Sequence, residues 1–176
     1  MKKIASTFVA ILLFAVYTAI AQSNYSSIKN GNFNINGCSV APVWQYAPLD
    51  AALGQNSVNS TSEYVHIFHA SGVVVFERSK DGKGTGEISE VQIFYSASSD
   101  KNTPEKFYSG VLRIEKLSVN KTMTITTVRN QLKNYIESKS YLAHNYRFEK
   151  SGIYMYFEFN ESETELVKIC IGKDSN

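Results

Sequence analysis

The sequence predicts an α+β fold made of two tandem copies of a strand–helix–three-strand antiparallel unit. Three observations lead there: internal similarity at a nearly constant offset, a helix-period stretch in each half, and strand-period alternation after each such stretch. "FNINGCSV", Phe33 to Val40, aligns with "LRIEKLSV", Leu112 to Val119, and the same register carries Leu49 onto Val128 and Leu53 onto Leu132. One residue of slippage later, "FHASGVVVF", Phe68 to Phe76, falls on "FEKSGIYMY", Phe148 to Tyr156, and "EVQI" from Glu90 falls on "LVKI" from Leu166. The copies run from about 31 to 96 and 107 to 173, and the polar stretch 97–106, "ASSDKNTPEK", reads as a linker between them.

The chain opens with Lys2 and Lys3 before an apolar run from Ile4 to Ile20, and Ala19-Ile20-Ala21 has the small-x-small pattern that signal peptidase reads. Residues 1–21 are expected to be a cleaved bacterial-type signal peptide, leaving a mature chain 22–176 in the periplasm or outside the cell, with no stable membrane insertion. The full chain holds 18 Lys+Arg against 16 Asp+Glu. Lys2 and Lys3 leave with the leader and no acid does, so the mature chain balances. A neutral chain without a basic run carries no electrostatic footprint for nucleic acid.

Each copy begins with an alternating strand, Phe33 and Ile35 answered by Leu112 and Ile114, and a second short extended piece fits Cys38–Val40 and Leu117–Val119. A helix follows. In the second half, Thr124 to Ile136 spaces Ile125, Val128, Leu132 and Tyr135 along one face, with Thr124 as N-cap. In the first half, Pro48 suits a first turn, Leu49 and Leu53 share a face, and Gly54 fits just past the end. Three strands complete each copy: Tyr64–Ala70, Gly72–Arg78 and Glu87–Tyr95, then His144–Phe148, Gly152–Phe159 and Glu165–Ile171.

"DGKGTG", Asp81 to Gly86, is the one segment with the look of a phosphate loop. A strand follows it rather than the helix whose N-terminus a P-loop needs, and the corresponding "NESETE", Asn160 to Glu165, has no glycine. Asp-Gly between apolar strands predicts a hairpin turn.

Candidate chemistry is sparse. His66 and His69 sit an odd number of residues apart on a strand, so they point to opposite faces and cannot share an ion; His144 aligns with Tyr64 and reads as an aromatic strand position. No metal, cofactor or nucleophile motif emerges, and Glu77, Glu87, Glu90, Glu149 and Glu158 read as solvated strand or hairpin carboxylates. Cys38 and Cys170 either pair across a long loop, as an oxidising compartment permits, or remain two separate thiols; spacing leaves both open.

Aromatic density on the strands is the strongest functional signal. In "GIYMYFEF", Ile153, Met155, Phe157 and Phe159 make one face, and Tyr154, Tyr156 and Glu158 the other. Phe76 and Phe94 belong to the corresponding second face of the first half. That face is either buried by the other copy or open to a partner, for which Tyr154, Tyr156, Phe76 and Phe94 are the candidate contacts.

"PLDAALGQNS", Pro48 to Ser57, resembles the helix end that leads into an antiparallel sheet in exported bacterial tandem-repeat α+β proteins of the beta-lactamase inhibitor protein and outer-membrane-assembly lipoprotein kind. The strand before the helix departs from that pattern, as does Leu132-Lys133 in place of Leu-Gly. The resemblance implies a non-enzymatic protein whose sheet surface binds protein partners. The expectation is an exported binding protein for a protein or small ligand of the cell envelope: an inhibitor, immunity-type or envelope-assembly factor. The alternatives are a secreted or envelope hydrolase with a cleft between the copies, and a purely structural envelope component.

Overall fold

The described part of the chain contains thirteen strands and two short helices, and with 51% of the described residues in strands the class is α+β with β dominant. The computed structural model describes residues 25–54, 56–59 (backbone only at 57–59), 62–138 and 140–173; the expected leader 1–21 lies outside them. In chain order the elements are β1 (Tyr25–Lys29), β2 (Asn32–Ile35), β3 (Cys38–Ala41), α1 (Ala47–Leu53), β4 (Ser57–Asn59), β5 (Ser62–Phe68), β6 (Val73–Lys80) and β7 (Lys83–Phe94). They continue with β8 (Val111–Ile114), β9 (Leu117–Val119), α2 (Ile125–Gln131), β10 (Ile136–Ser138), β11 (Asn145–Lys150), β12 (Ile153–Phe159) and β13 (Leu166–Lys173).

The strands form two sheets, a five-stranded one in the order β3-β2-β1-β8-β9 and an eight-stranded one in the order β10-β11-β12-β13-β7-β6-β5-β4. Antiparallel pairing of β13 with β7, Ile169 opposite Ile93 and Ile171 opposite Val91, closes the larger sheet at its centre. The inward row of that sheet, including Val73, Val75, Val91, Ile93, Met155, Phe157 and Ile169, shares one hydrophobic core with the smaller sheet and with both helices. Burying each such side chain contributes about 1.5–3 kcal/mol relative to leaving it in water. The strand alternation read from "GIYMYFEF" is observed: Ile153, Met155, Phe157 and Phe159 are buried, while Tyr154, Tyr156 and Glu158 are half-buried on the other face.

β1 is the element that the apolar pattern does not announce. It pairs antiparallel with β2 and parallel with β8, and so joins the hairpins β2–β3 and β8–β9 into one sheet. Its alternation is broken because a fully buried position holds Ser26, whose hydroxyl meets the Tyr108 hydroxyl at 2.7 Å and accepts from the Asn36 N–H. β4 and β10, three residues each at the two edges of the large sheet, are likewise additions to the expected plan, so four strands rather than three follow each helix.

The helices start as expected. Thr124 caps α2, its side chain accepting from the Thr127 N–H, and Pro48 lies in the first turn of α1, which ends at Gly54 with φ of 85°. α2 stops at Gln131, however, well short of Ile136, which instead starts β10 opposite Glu149. Sheet pairing wins there over the continuing helical spacing of Leu132 and Tyr135. Between β6 and β7, Asp81 and Gly82 both have positive φ (53° and 78°) and Lys80 pairs with Lys83, so the glycine-rich stretch opens as the expected two-residue hairpin turn.

The stretch 97–106 is tied to the sheet rather than hanging free. Asn102 is buried, the Lys106 N–H donates to the His69 carbonyl, and the Tyr108 N–H donates to the Phe94 carbonyl at 2.7 Å. Gly72, in the turn between β5 and β6, permits that approach. It has φ of +70°, and a Cβ there would lie 2.3 Å from the Tyr108 nitrogen. Gly72→Ala is therefore expected to lower stability by about 3 kcal/mol or more. Gly82→Ala, at φ +78° but with nothing within 4 Å, should cost only about 1–2 kcal/mol. Urea unfolding of the two variants checks the contrast.

Candidate functional site: the outer face of the large sheet

Strand register places all four aromatic candidates on the face of the eight-stranded sheet turned away from the helices. Phe76, Glu90, Gly172, Tyr154 and Glu149 form one cross-strand row through β6, β7, β13, β12 and β11. Val74, Gln92, Cys170, Tyr156 and Arg147 form the next, and Phe94, Lys168, Glu158 and Asn145 a third.

Tyr154 and Tyr156 stand edge to face, centroids 5.5 Å apart, and the Arg147 guanidinium lies 4.7 Å from the first ring and 5.3 Å from the second. Arg147 Nη1 donates to the Tyr156 hydroxyl at 3.0 Å, and Nε donates to Glu149. The Tyr154 ring reaches across β13 over Gly172, where a Cβ would meet it at 2.3 Å, and its hydroxyl donates to Glu90 Oε2 at 3.0 Å. Gln92 Nε2 holds the other carboxylate oxygen at 2.7 Å. Burial first, then the Glu90 charge, drives the Tyr154 phenol far above its ordinary value, so it remains a donor. The two rings are therefore fixed in place while staying half-exposed.

The other two candidates lie in a separate apolar cluster with Val65, Ile67 and Val74. Phe76 is half-buried on it, whereas Phe94 is fully buried and is not an open contact. The Lys168 ammonium lies 5.3 Å over the Phe94 ring and is held by Asp100 at 3.0 Å and Glu158 at 3.4 Å. Burial opposes the charge on Lys168, but the Asp100 and Glu158 carboxylates outweigh it, and its pKa is raised. Burial also opposes the charge on Asp100. The Asn102 N–H and the Lys168 ammonium outweigh that, holding the Asp100 carboxyl below its usual value.

On the opposite, core-facing side, Glu77 is buried rather than solvated. His66 Nε2–H donates to its Oε1 at 2.6 Å, the Gly86 N–H donates to its Oε2, and the Tyr46 ring stacks on the imidazole with centroids 4.0 Å apart. The glycine-rich loop does hold an anion, but the anion is this chain's own carboxylate; a Cβ at Gly84 would lie 2.8 Å from it. The position was legible, since Glu77 continues the inward alternation of Val73 and Val75.

The remaining candidates are dispersed. His69, past the end of β5, accepts from the Glu105 N–H at 3.2 Å, so the two first-half histidines serve different partners. His144 lies ahead of β11, with φ of 57°, and bonds Glu163 at 3.0 Å; it is a turn residue rather than a strand aromatic. Cys38 opens β3 in the small sheet and Cys170 lies buried in β13 of the large one, and both are free thiols. Burial pushes the Cys170 thiol well up, which makes it a poor nucleophile. Arg147 and Lys168, which organise the outer face, were missed because Arg147 meets Tyr156, and Lys168 meets Phe94 and Glu158, only across paired strands, and such cross-strand contacts leave no local sequence pattern.

A family model described as a domain of unknown function, DUF7738, matches residues 27–129, more than half of the chain. The chain belongs to this family. The DUF7738 span begins within β1 and ends within α2, so it takes in the five-stranded sheet except Tyr25 and Ser26, together with β4 to β7. It contains His66, Glu77, Phe76, Glu90 and Phe94, whereas Arg147, Tyr154, Tyr156 and Lys168 lie beyond it. Neither a curated protein nor a solved structure matches the chain.

Two outcomes follow from these contacts. Glu77→Ala strands His66 Nε2 and the Gly86 N–H in the interior and should cost about 3 kcal/mol in denaturant unfolding. Asp100 has a folded-state pKa below its unfolded one. Its contribution is therefore present above the ordinary value near 3.8 and is lost as the pH falls through the folded value. Asp100→Asn should lower stability at neutral pH and flatten the acid limb of the stability–pH curve.

Proposed function

We propose that the protein is an exported, non-enzymatic binding protein that uses the outer face of its large sheet, centred on Tyr154 and Tyr156, to dock a protein partner in the cell envelope. The observation that carries this reading is the held Tyr154–Tyr156–Arg147 cluster. Two half-exposed rings are locked by cross-strand hydrogen bonds and a shared guanidinium, so a partner meets them at little ordering cost. Both helices lie on the other side of the sheet, in the main core. The ionisable groups of the face are engaged with one another, Glu90 with Tyr154 and Gln92, Lys168 with Asp100 and Glu158, which favours a recognition surface over an acid–base site.

Export rests on the leader pattern of residues 1–21. A duplicated origin is part of the same proposal. Two strands, a helix and four strands occur in the order β2 to β7 and again in β8 to β13, and the two sets of large-sheet strands are arranged symmetrically about the β7–β13 seam. The positions aligned in sequence, Phe33 with Leu112, Ile35 with Ile114, Leu49 with Val128 and Leu53 with Leu132, are all buried. Resemblance to the exported tandem-repeat inhibitor and assembly proteins points the same way, since their sheet surfaces bind protein partners.

The test is capture from a native envelope fraction by the immobilised mature chain. Tyr154→Ala and Tyr156→Ala should each weaken capture of whatever the wild type retains by about 2 kcal/mol, roughly thirtyfold in affinity. The exposed-surface control Tyr141→Ala, at a fully exposed residue, should leave it unchanged. Equal capture by all three variants overturns the sheet-face proposal.

A further inference from the structure

A second feature, sharing no residue with the outer face, is a furrow beside α1. Its deeper part, about 210 Å³, is bounded by Ala52 and Leu53 of α1, by Asn36 in the β2–β3 turn, by Ser71 in the β5–β6 turn, and by Tyr108 and Ser109 ahead of β8. Its shallower part, about 310 Å³, continues past Asn36 and Ala52 to Pro48 and Cys38. Among the described residues none that lines either part carries a charge. The walls alternate small apolar groups with an amide and hydroxyls, and the whole lining falls within the DUF7738 span.

We propose that this furrow binds an uncharged, hydroxyl-rich ligand of the saccharide type, one ring in the deeper part and a second along the shallower part. The volume supports the size: at about 30 Å³ per water, the deeper part equals some seven waters, the space of a single sugar ring. The lining supports the class. A charged ligand would lose its hydration here with no opposite charge to compensate, whereas a sugar ring presents CH groups to Ala52 and Leu53 and hydroxyls to Asn36, Ser71 and Ser109. An extended peptide fits less well, because the deeper part is walled by a helix face and turns, and only the first residue of the edge strand β3, Cys38, reaches the shallower part, too little edge to pair with a peptide backbone. The base is firm: Tyr108 is buried, its hydroxyl within 2.7 Å of Ser26 and donating to Asn36 Oδ1 at 3.4 Å.

Cys38 supplies the readout, since it is a half-exposed thiol on the shallower part while Cys170 is buried. Iodoacetamide alkylation of the mature protein is followed by peptide mass with cellobiose, maltose, N,N′-diacetylchitobiose, glucosamine, glucuronate or tri-alanine present. The expected result is that at least one neutral disaccharide slows Cys38 alkylation by the factor 1 + [L]/Kd, about tenfold at roughly ten times Kd. The same sugar should shift the amide resonances of Asn36, Ser71 and Ser109, and the charged sugars and the peptide should do neither. Ala52→Phe and, separately, Ser109→Phe fill the furrow from two sides and should each abolish protection while the far-ultraviolet dichroism stays that of the wild type; one folded variant suffices for the test. Protection by no neutral saccharide, equal protection by the charged sugars, protection by tri-alanine alone, or protection that survives a folded furrow-filling variant overturns the proposal.

Discussion

The pairing of β7 with β13 is the constraint from which the rest of the molecule follows. These strands come from the middle and the end of the described chain, and their antiparallel ladder, Lys168 opposite Phe94 through Gly172 opposite Glu90, welds four strands on each side into one sheet. Because side chains alternate across a ladder, this register also decides which groups meet on the outer face. It brings Glu90 within reach of Tyr154 across the bare backbone of Gly172, and sets Lys168 over Phe94. A slip of β13 by one residue against β7 would turn Lys168 and Cys170 toward the core and Ile169 and Ile171 onto the outer face.

The smaller sheet depends on a different device. β1 joins its two hairpins through one antiparallel and one parallel ladder, and a buried serine stands where an apolar side chain would be expected. That serine is bonded to Tyr108, and Tyr108 is in turn anchored by its N–H to Phe94 in the larger sheet. One tyrosine thus connects the two sheets, and it also forms the base of the furrow beside α1. Buried polar groups of this kind are favourable only when paired, which is why the Ser26–Tyr108–Asn36 contacts occur together.

The two sides of the large sheet answer to different parts of the chain. The core side holds Glu77 and His66, and the furrow is built from turns, α1 and the start of β3; all of these residues lie in the DUF7738 span. The tyrosine and arginine cluster of the outer face comes from β11 and β12, beyond that span, and Glu90, held by Gln92, reaches it from within. A surface assembled from both stretches exists only when the seam between β7 and β13 is closed.

Patterns that depend on near neighbours were legible in the amino-acid order. Alternation in "GIYMYFEF" and "GVVVF" identified strands and their inner faces, Thr124 and Pro48 marked helix starts, and Asp81-Gly82 marked a hairpin turn, because each is set by backbone sterics and local hydrogen bonding. Tertiary structure alone decided the length of α2, since Ile136 gains a sheet partner only when β11 is beside it, and it alone covered Phe94, left Tyr154 and Tyr156 half-open, and drew Glu77 inward to His66. Those outcomes depend on contacts between residues far apart in sequence, whose energies come from register and burial, and neither quantity is encoded in any one stretch of the chain.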